Sequence, residues 1–312
     1  MIDNLNDIII IGAGAAGMTA ALYSLRAGKK VTILEHESIG GQIATSPKVE
    51  NFPTIPEISG LELSDRLYNQ IDALGVNFEF EDVQKIEEIY DEETNKKIFK
   101  VSGEYGEFYS KAVIIATGVK HRSINVPGEE ELIGKGVSYC AVCDGAFYKN
   151  EDVCLIGDGN TALQYSILLS NYCNKVYVNT LFDKFFGETR LVETLKSKSN
   201  VIINHNLSLK EFIYDDNLKG LVFEDTQTKE SKKFDVKACF IAIGQVPNNK
   251  MFENVCELNK QGYIVTNSDL ETSIKGIYAA GDCREKKVRQ LTTAVNDGTI
   301  AAINACAYID SL

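Results

Sequence analysis

The sequence predicts an α/β protein of two Rossmann-like, doubly wound domains, the second inserted in the first. Three observations lead there. The stretch "DIIIIGAGAAGMTAALYSLRAGKKVTILEHE" (7–37) reads as strand, tight glycine turn, helix and strand, and "EDVCLIGDGNTALQYSILLSNYCNKVYVNTL" (151–181) repeats that order. The apolar strand "AVIIATG" (112–118), ending in small residues, has a counterpart in "CFIAIGQVPNN" (239–249). A chain of 312 residues, 44% hydrophobic and 24% charged, is long enough for two cores.

Taken in order, the first βαβ unit carries a dinucleotide fingerprint. Gly12 permits the tight turn, Gly14 lets backbone approach a pyrophosphate, and Gly17 allows helix and strand to pack closely. The helix that follows presents its free N–H groups to the phosphates. Glu35, 23 residues beyond Gly12, ends the second strand, where a carboxylate can accept from ribose hydroxyls. A polar hairpin loop is expected at "YDEETNKK" (90–97). The first domain is expected at 1–117, the inserted one at 118–245, and the first resumes over 246–312 through "GIYAAGDC" (276–283) and a final helical stretch.

Composition excludes several functions. No apolar run approaches the ~18 residues that cross a bilayer, and no basic leader precedes the short apolar run of "MIDNLNDIIIIGAG". A net charge of −12 repels nucleic acid. Eight cysteines in a long chain without a leader suit a reducing cytoplasm rather than a disulfide scaffold. Cys154, Cys239 and Cys306 lie in apolar or small-residue runs, as core thiols do.

One cysteine pair has functional spacing, in "YCAVCDG" (139–145). It could be half a zinc site, a structural staple or an exchangeable disulfide. Zinc wants four ligands, yet no second pair has suitable spacing, and His36, His121 and His205 are scattered. No metal is expected. Cys140 and Cys143 close a short ring suited to cycling between dithiol and disulfide. Asp144, directly after the second sulfur, can carry the proton that a thiolate must gain or lose.

Further motifs make the chain resemble the low-molecular-weight flavoprotein thioredoxin reductases over nearly its whole length. They are "GGQIATSPKVENFP" (40–53), "ATG" (116–118), "CAVCDG" (140–145), "GDGNTA" (157–162), "IGQVPNN" (243–249) and "AAGDCREKKVRQLTTA" (279–294). The resemblance implies FAD, thioredoxin as partner and a homodimer. It sets Gln42, Thr45 and Asn51 along the FAD, Asp282 at its ribitol, and Arg289 and Gln290 near the pyrophosphate and flavin ring. The implied cofactor set also includes Ala15, Gly41, Val83, Ala116, Thr117, Gly118, Gly281 and Leu291. Cys143 would face the flavin and Asp144 act as acid–base. One domain would swing about 116–122 and 243–249 to bring the dithiol from flavin to thioredoxin.

The second unit departs from that pattern. Where the family places His-Arg-Arg and a later Arg for the NADPH 2′-phosphate, this chain has Thr180, Leu181, Phe182 and Phe186. Asp158 puts an acid in the turn that should cradle pyrophosphate. The sequence therefore looks like the branch that takes electrons from ferredoxin. Arg284, Lys286, Lys287 and Arg289 would form a basic collar steering that acidic donor. Alternatives are an NADPH-dependent reductase using atypical contacts such as Lys184, a dithiol oxidase passing electrons to oxygen, and a non-enzymatic flavin redox sensor.

Overall fold

The computed structural model describes residues 4–46, 49–91 and 94–312. Pro47 and Lys48 of the glycine-rich motif, and Glu92 and Glu93 of the expected hairpin loop, lie outside them. The chain divides into two compact units, Met1–Lys120 with Val246–Leu312, and His121–Gln245.

In the first unit, β1 (Asn6–Ile11) is a run of isoleucines buried on both faces. That is how a central parallel strand reads. Helix α1 (Ala15–Arg26) returns the chain to β2 (Val31–Glu35), parallel to β1 with Ile8 opposite Val31. Helix α2 (Gly60–Asp72) starts at Ser59, whose hydroxyl accepts the Glu62 N–H at 3.1 Å. Strands β3 (Asn77–Phe80), β4 (Val83–Tyr90), β5 (Lys97–Gly103) and β6 (Glu107–Ile115) follow.

The chain leaves this unit along β7 (Lys120–His121). The second unit holds β8 (Val137–Ser138), the short helix α3 (Ala141–Asp144), β9 (Asp152–Ile156), α4 (Asn160–Leu169), β10 (Lys175–Asn179), α5 (Thr189–Lys196) and β11 (Val201–Asn204). An antiparallel sheet of β12 (Leu207–Tyr214), β13 (Leu218–Asp225) and β14 (Ser231–Asp235) precedes β15 (Ala238–Ile241). The parallel sheet runs β11-β10-β9-β15-β8. The chain returns along β16 (Gln245–Val246), and just inside the second unit the Arg122 N–H donates to the Gly244 carbonyl at 3.1 Å.

The first unit then finishes with β17 (Ile277–Ala279) and α6 (Leu291–Asp310). Its sheet runs β3-β2-β1-β6, with β17 parallel to the end of β6 and the antiparallel pair β5 and β4 beside its start. Helix α6 packs on α1 through small residues. A Cβ on Gly298 would lie 2.2 Å from the Ala16 carbonyl oxygen, so only glycine admits this approach. Buried side chains cover both faces of the sheet, with Ile8, Ile10 and Ile114 toward the helices and Ile9, Ile11 and Ile115 on the other side. The doubly wound fold expected for each unit is what the chain adopts. Among the described residues no helix is long and apolar enough to cross a membrane.

Candidate functional site

Strand β8 delivers the chain into the cysteine loop. Cys140 and Cys143 form a disulfide, their Cα atoms 5.3 Å apart, and the Cys143 N–H donates to Cys140 Sγ at 3.2 Å. Val142, between them, is 49% exposed, while both cysteines are half-buried. Asp144 faces inward. Its Oδ2 accepts the Ser138 hydroxyl at 2.6 Å, while Oδ1 is buried without a hydrogen-bond partner. Burial pushes this carboxyl above the ordinary range, and the Ser138 bond only partly offsets it. The six other cysteines are buried free thiols. Among the described residues no three His, Cys, Asp or Glu are grouped to hold a metal ion.

The first fingerprint forms a tight cradle. Gly12 has φ +108°, and a Cβ there would sit 2.5 Å from the Ala116 carbonyl oxygen; on Gly17 it would meet the Gly12 carbonyl at 1.9 Å. Gly14 faces open space, with nothing within 4 Å of its Cβ direction, and Ala15 is buried at the start of α1. Glu35 braces the turn: Oε2 accepts the Ala13 N–H at 2.6 Å and Oε1 the Glu37 N–H at 2.8 Å. Each oxygen keeps a further lone pair for a ribose hydroxyl.

Around that cradle the fold gathers residues distant in sequence. Gly41, at φ +55°, opens a single 3₁₀ turn (Gly41–Ile43), and the Gln42 amide donates to the Val119 carbonyl. The Thr45 hydroxyl donates to the Gln42 carbonyl at 3.0 Å, and the Asn51 amide to Gln290 Oε1 at 3.4 Å. Thr117, between buried Ala116 and Gly118 at φ +65°, donates to Asn249 Oδ1 at 3.2 Å. Gln290 caps α6 in a reciprocal box with Thr293, and Leu291 packs on Val49, Ile58 and Leu63. Val83 is a core residue with Ile9, Ile11 and Leu34, so only its backbone is left for a ligand.

The turn before α6 holds an unspent acid. Gly281, at φ +81°, donates its N–H to Asp297 Oδ2 at 3.1 Å. Asp282 Oδ1 is buried without a hydrogen bond, its nearest cation, Lys286 Nζ, being 4.0 Å away. Burial pushes the Asp282 carboxyl upward despite Lys286 and Arg289. Arg289 lies 4.2 Å over the Tyr263 ring. A buried acceptor without a donor, next to Gly281 whose Cβ position lies 2.9 Å from the Ala16 methyl at the glycine cradle, fits a hydroxyl-bearing dinucleotide such as FAD. Asn249, Ser138 and Asp297 were not singled out from the sequence. Asn249, 1% exposed, donates to the Gly262 and Cys283 carbonyls at 2.9 and 2.8 Å, a bond set no local pattern reveals.

The basic collar is not the free patch its composition suggests. Asp297 takes Arg284 Nε at 2.9 Å and Lys286 Nζ at 2.8 Å, and Lys286 is only 7% exposed. Arg289 is occupied by Tyr263, which leaves Lys287 as the exposed cation. A buried carboxylate recruited these charges because it could not remain unpaired.

The second fingerprint keeps its turn. Gly157 has φ +151°, and a Cβ there would lie 2.4 Å from the Ala242 carbonyl. Beyond β10, Thr180 is wholly buried; its hydroxyl donates to the Phe182 carbonyl at 2.6 Å and meets His205 Nδ1 at 2.7 Å. Leu181, Phe182 and Phe186 are 50%, 48% and 59% exposed, and the two phenylalanines pack edge to face at 5.3 Å. Phe186 is tied to the turn by its N–H to the Asp158 carbonyl at 2.8 Å. Lys184, the one cation from 180 to 188, lies 5.5 Å over the Phe186 ring.

The profile of the family described as pyridine nucleotide-disulphide oxidoreductase matches residues 6–298. A thioredoxin reductase of Bacillus subtilis is 40% identical over 312 residues, 99% of this chain and 96% of the relative. The crystal structure of thioredoxin reductase from Streptococcus pyogenes superposes with a TM-score of 0.93 at 36% identity, covering 99% of this chain and all of that one. A ferredoxin-flavin thioredoxin reductase from Clostridium acetobutylicum gives a TM-score of 0.53 at 25% identity, covering 99% of each chain.

Proposed function

This chain belongs to the pyridine nucleotide-disulphide oxidoreductase family and, within it, to the thioredoxin reductases, and from that premise we propose that it carries electrons from reduced ferredoxin, through FAD, to the Cys140–Cys143 pair and on to thioredoxin. The observation that carries the disulfide step is the half-buried pair followed by an acid with one oxygen free in a buried setting. FAD would be held by the Gly12–Gly14 turn, Glu35 and Asp282, with Gln42, Thr45, Asn51, Arg289 and Gln290 along it. Bound there, it would supply two electrons to the disulfide. The remaining chemistry is the chain's own. As the S–S bond opens, Asp144 gives a proton to the emerging thiolate; as the dithiol attacks a thioredoxin disulfide, the carboxylate takes one back. Cys143 is the sulfur assigned to the flavin side. A homodimer belongs to the same proposal, checked by sedimentation.

Ferredoxin is preferred over NADPH because of the strand tip after β10. A 2′-phosphate placed there would face Leu181 and Phe182, with Thr180's hydroxyl already spent inside. It would forgo charge-assisted bonds worth roughly 1.5–3 kcal/mol each. The preserved Gly157 turn favours the second reading, a nicotinamide donor held by its pyrophosphate alone. The test is anaerobic: FAD-loaded protein is mixed with NADPH, NADH or reduced ferredoxin, and flavin bleaching and thioredoxin thiols are followed. Bleaching by ferredoxin with thiol release is expected. Rapid bleaching by NADPH would overturn the donor assignment, and bleaching by small dithiols with peroxide formed in air would indicate an oxidase.

A further inference from the structure

We infer that Ser138 is a positioning residue for proton transfer at Asp144, an inference that rests on the disulfide exchange proposed at Cys140–Cys143. Ser138 ends β8, where it is 5% exposed and stands opposite Phe240 of the neighbouring parallel strand. The sheet therefore fixes its place independently of the cysteine loop. Its hydroxyl has one proton and two candidate acceptors. Asp144 Oδ2 is 2.6 Å away and the Cys140 carbonyl 3.4 Å, so the carboxylate takes it. The Ser138 hydroxyl oxygen in turn accepts the Cys140 N–H at 3.0 Å. One hydroxyl thus ties the acid to the backbone of the first cysteine and leaves Oδ1 as the oxygen free to move a proton.

Two consequences follow for the chemistry. Two electrons supplied by a bound flavin would break the S–S bond and leave two thiolates, one staying ionised on the flavin side and the other open to protonation. The Oδ1–H of Asp144 protonates it, and the charge left on the carboxylate is met by the Ser138 O–H already aimed at Oδ2. In the return step, a thiol yields its proton to Oδ1 and attacks the protein disulfide. The new S–S bond is a mixed disulfide, the partner's own bond breaks, and its leaving sulfur receives the proton; the second cysteine then attacks the mixed disulfide, which restores Cys140–Cys143 and frees the partner's other sulfur. The second consequence is that Ser138 favours the ionised carboxylate against the burial that disfavours it. Facing Asp144 from the surrounding elements are Tyr148 of the 3₁₀ turn Gly145–Tyr148 and Tyr165 of α4, both neutral phenols pushed upward first by burial. Tyr172 lies alongside, its hydroxyl 2.5 Å from where a Gly145 Cβ would sit. No lysine, arginine or histidine shifts this carboxyl, so the Ser138 hydrogen bond is what opposes burial.

The test titrates the Asp144 carboxyl by carbon-13 NMR in oxidised, FAD-loaded protein, the signal being assigned by its loss in Asp144→Asn. Ser138→Ala should move the midpoint up by about one pH unit, the size of one charge-assisted hydrogen bond. Ser138→Thr, which keeps the hydroxyl, should bring it back. The rate of disulfide reduction in Ser138→Ala/Asp144→Asn should match Asp144→Asn alone within about twofold, since the serine acts through the acid. If Ser138→Ala loses its fold, Ser138→Cys, with a weaker donor of similar size, should show the upward shift. An unmoved midpoint in a folded variant, while Asp144→Asn slows reduction tenfold or more, would overturn the inference. If Asp144→Asn reduces thioredoxin at the native rate, the reading of the acid itself fails, and Ser138 has nothing to position.

Discussion

Lys286 and Asp297 meet 2.8 Å apart, Nζ to Oδ2, with their side chains 7% and 3% exposed. The same carboxylate holds Arg284 and the Gly281 N–H, so the turn that presents Asp282 is built around it. Burial alone would push Asp297 up, but Arg284 and Lys286 outweigh it and hold the carboxyl below its ordinary value of 3.8. Lys286→Ala should cost about 1.5–3 kcal/mol by urea unfolding, the worth of one charge-assisted hydrogen bond, because Asp297 keeps Arg284. Lys287→Glu should leave stability unchanged. A loss below ~1 kcal/mol in Lys286→Ala would mean the pair is solvated in solution.

The sign of the pH effect follows from that depressed carboxyl. The stabilisation from Asp297 is complete above the unfolded value of 3.8 and is lost as pH falls below it. Replacing Asp297 by Asn should flatten the acid limb of the stability curve while lowering stability at neutral pH. Parallel acid limbs in the two proteins would exclude Asp297 as a source of the effect.

Docking of an acidic donor must be tested at the cation that is free to meet it. Lys287→Glu should slow ferredoxin-driven turnover severalfold at low salt and much less at high salt, where screening removes steering. Equal slowing at both salts would place docking on another surface.

Cys143→Ser should retain the yellow flavin and the fold, because the helix cap at Cys140 and the cradle around Gly12 do not need the second sulfur. Thioredoxin reduction should fall to background. A variant that loses FAD instead would show that the loop supports the cofactor site.

The exposed strand tip invites a gain of function. Leu181→Arg with Phe182→Arg adds two cations where a 2′-phosphate would sit, each worth about 1.5–3 kcal/mol. NADPH-driven bleaching should quicken at least tenfold, with little change for NADH. Equal gains for both coenzymes would point to general attraction rather than phosphate recognition.

Gly298→Ala tests the α1–α6 packing. The added methyl would meet the Ala16 carbonyl at 2.2 Å. Overpacking of ~1–3 kcal/mol should outweigh the helix-propensity gain of up to about 1 kcal/mol. A more stable variant would show that the helices can part without loss.

The doubly wound fold was legible because its signals are local: isoleucine runs for β1, glycines at the turns, and helices of even period, each within some thirty residues. The cysteine loop was legible for the same reason, with Cys140, Cys143 and Asp144 within five positions. The collar misled. Arg284 and Lys286 looked like a surface patch, yet Asp297, 13 and 11 residues on, turns both inward. Spacing carries no signal for that, because α6 brings the acid back only once it has packed on α1.

Periodicity and short motifs by themselves determined two βαβ units, an exchange-competent thiol pair and an acid beside it. Folding alone decided which charges are spent and which remain. Thr180 gives its hydroxyl proton to the Phe182 carbonyl beside His205, Ser138 takes one oxygen of Asp144, and Asp282 keeps one oxygen unpaired. The reason is energetic: a buried polar group must find whatever partner the packed chain brings near it, and that partner is set by three-dimensional proximity rather than by neighbours in sequence.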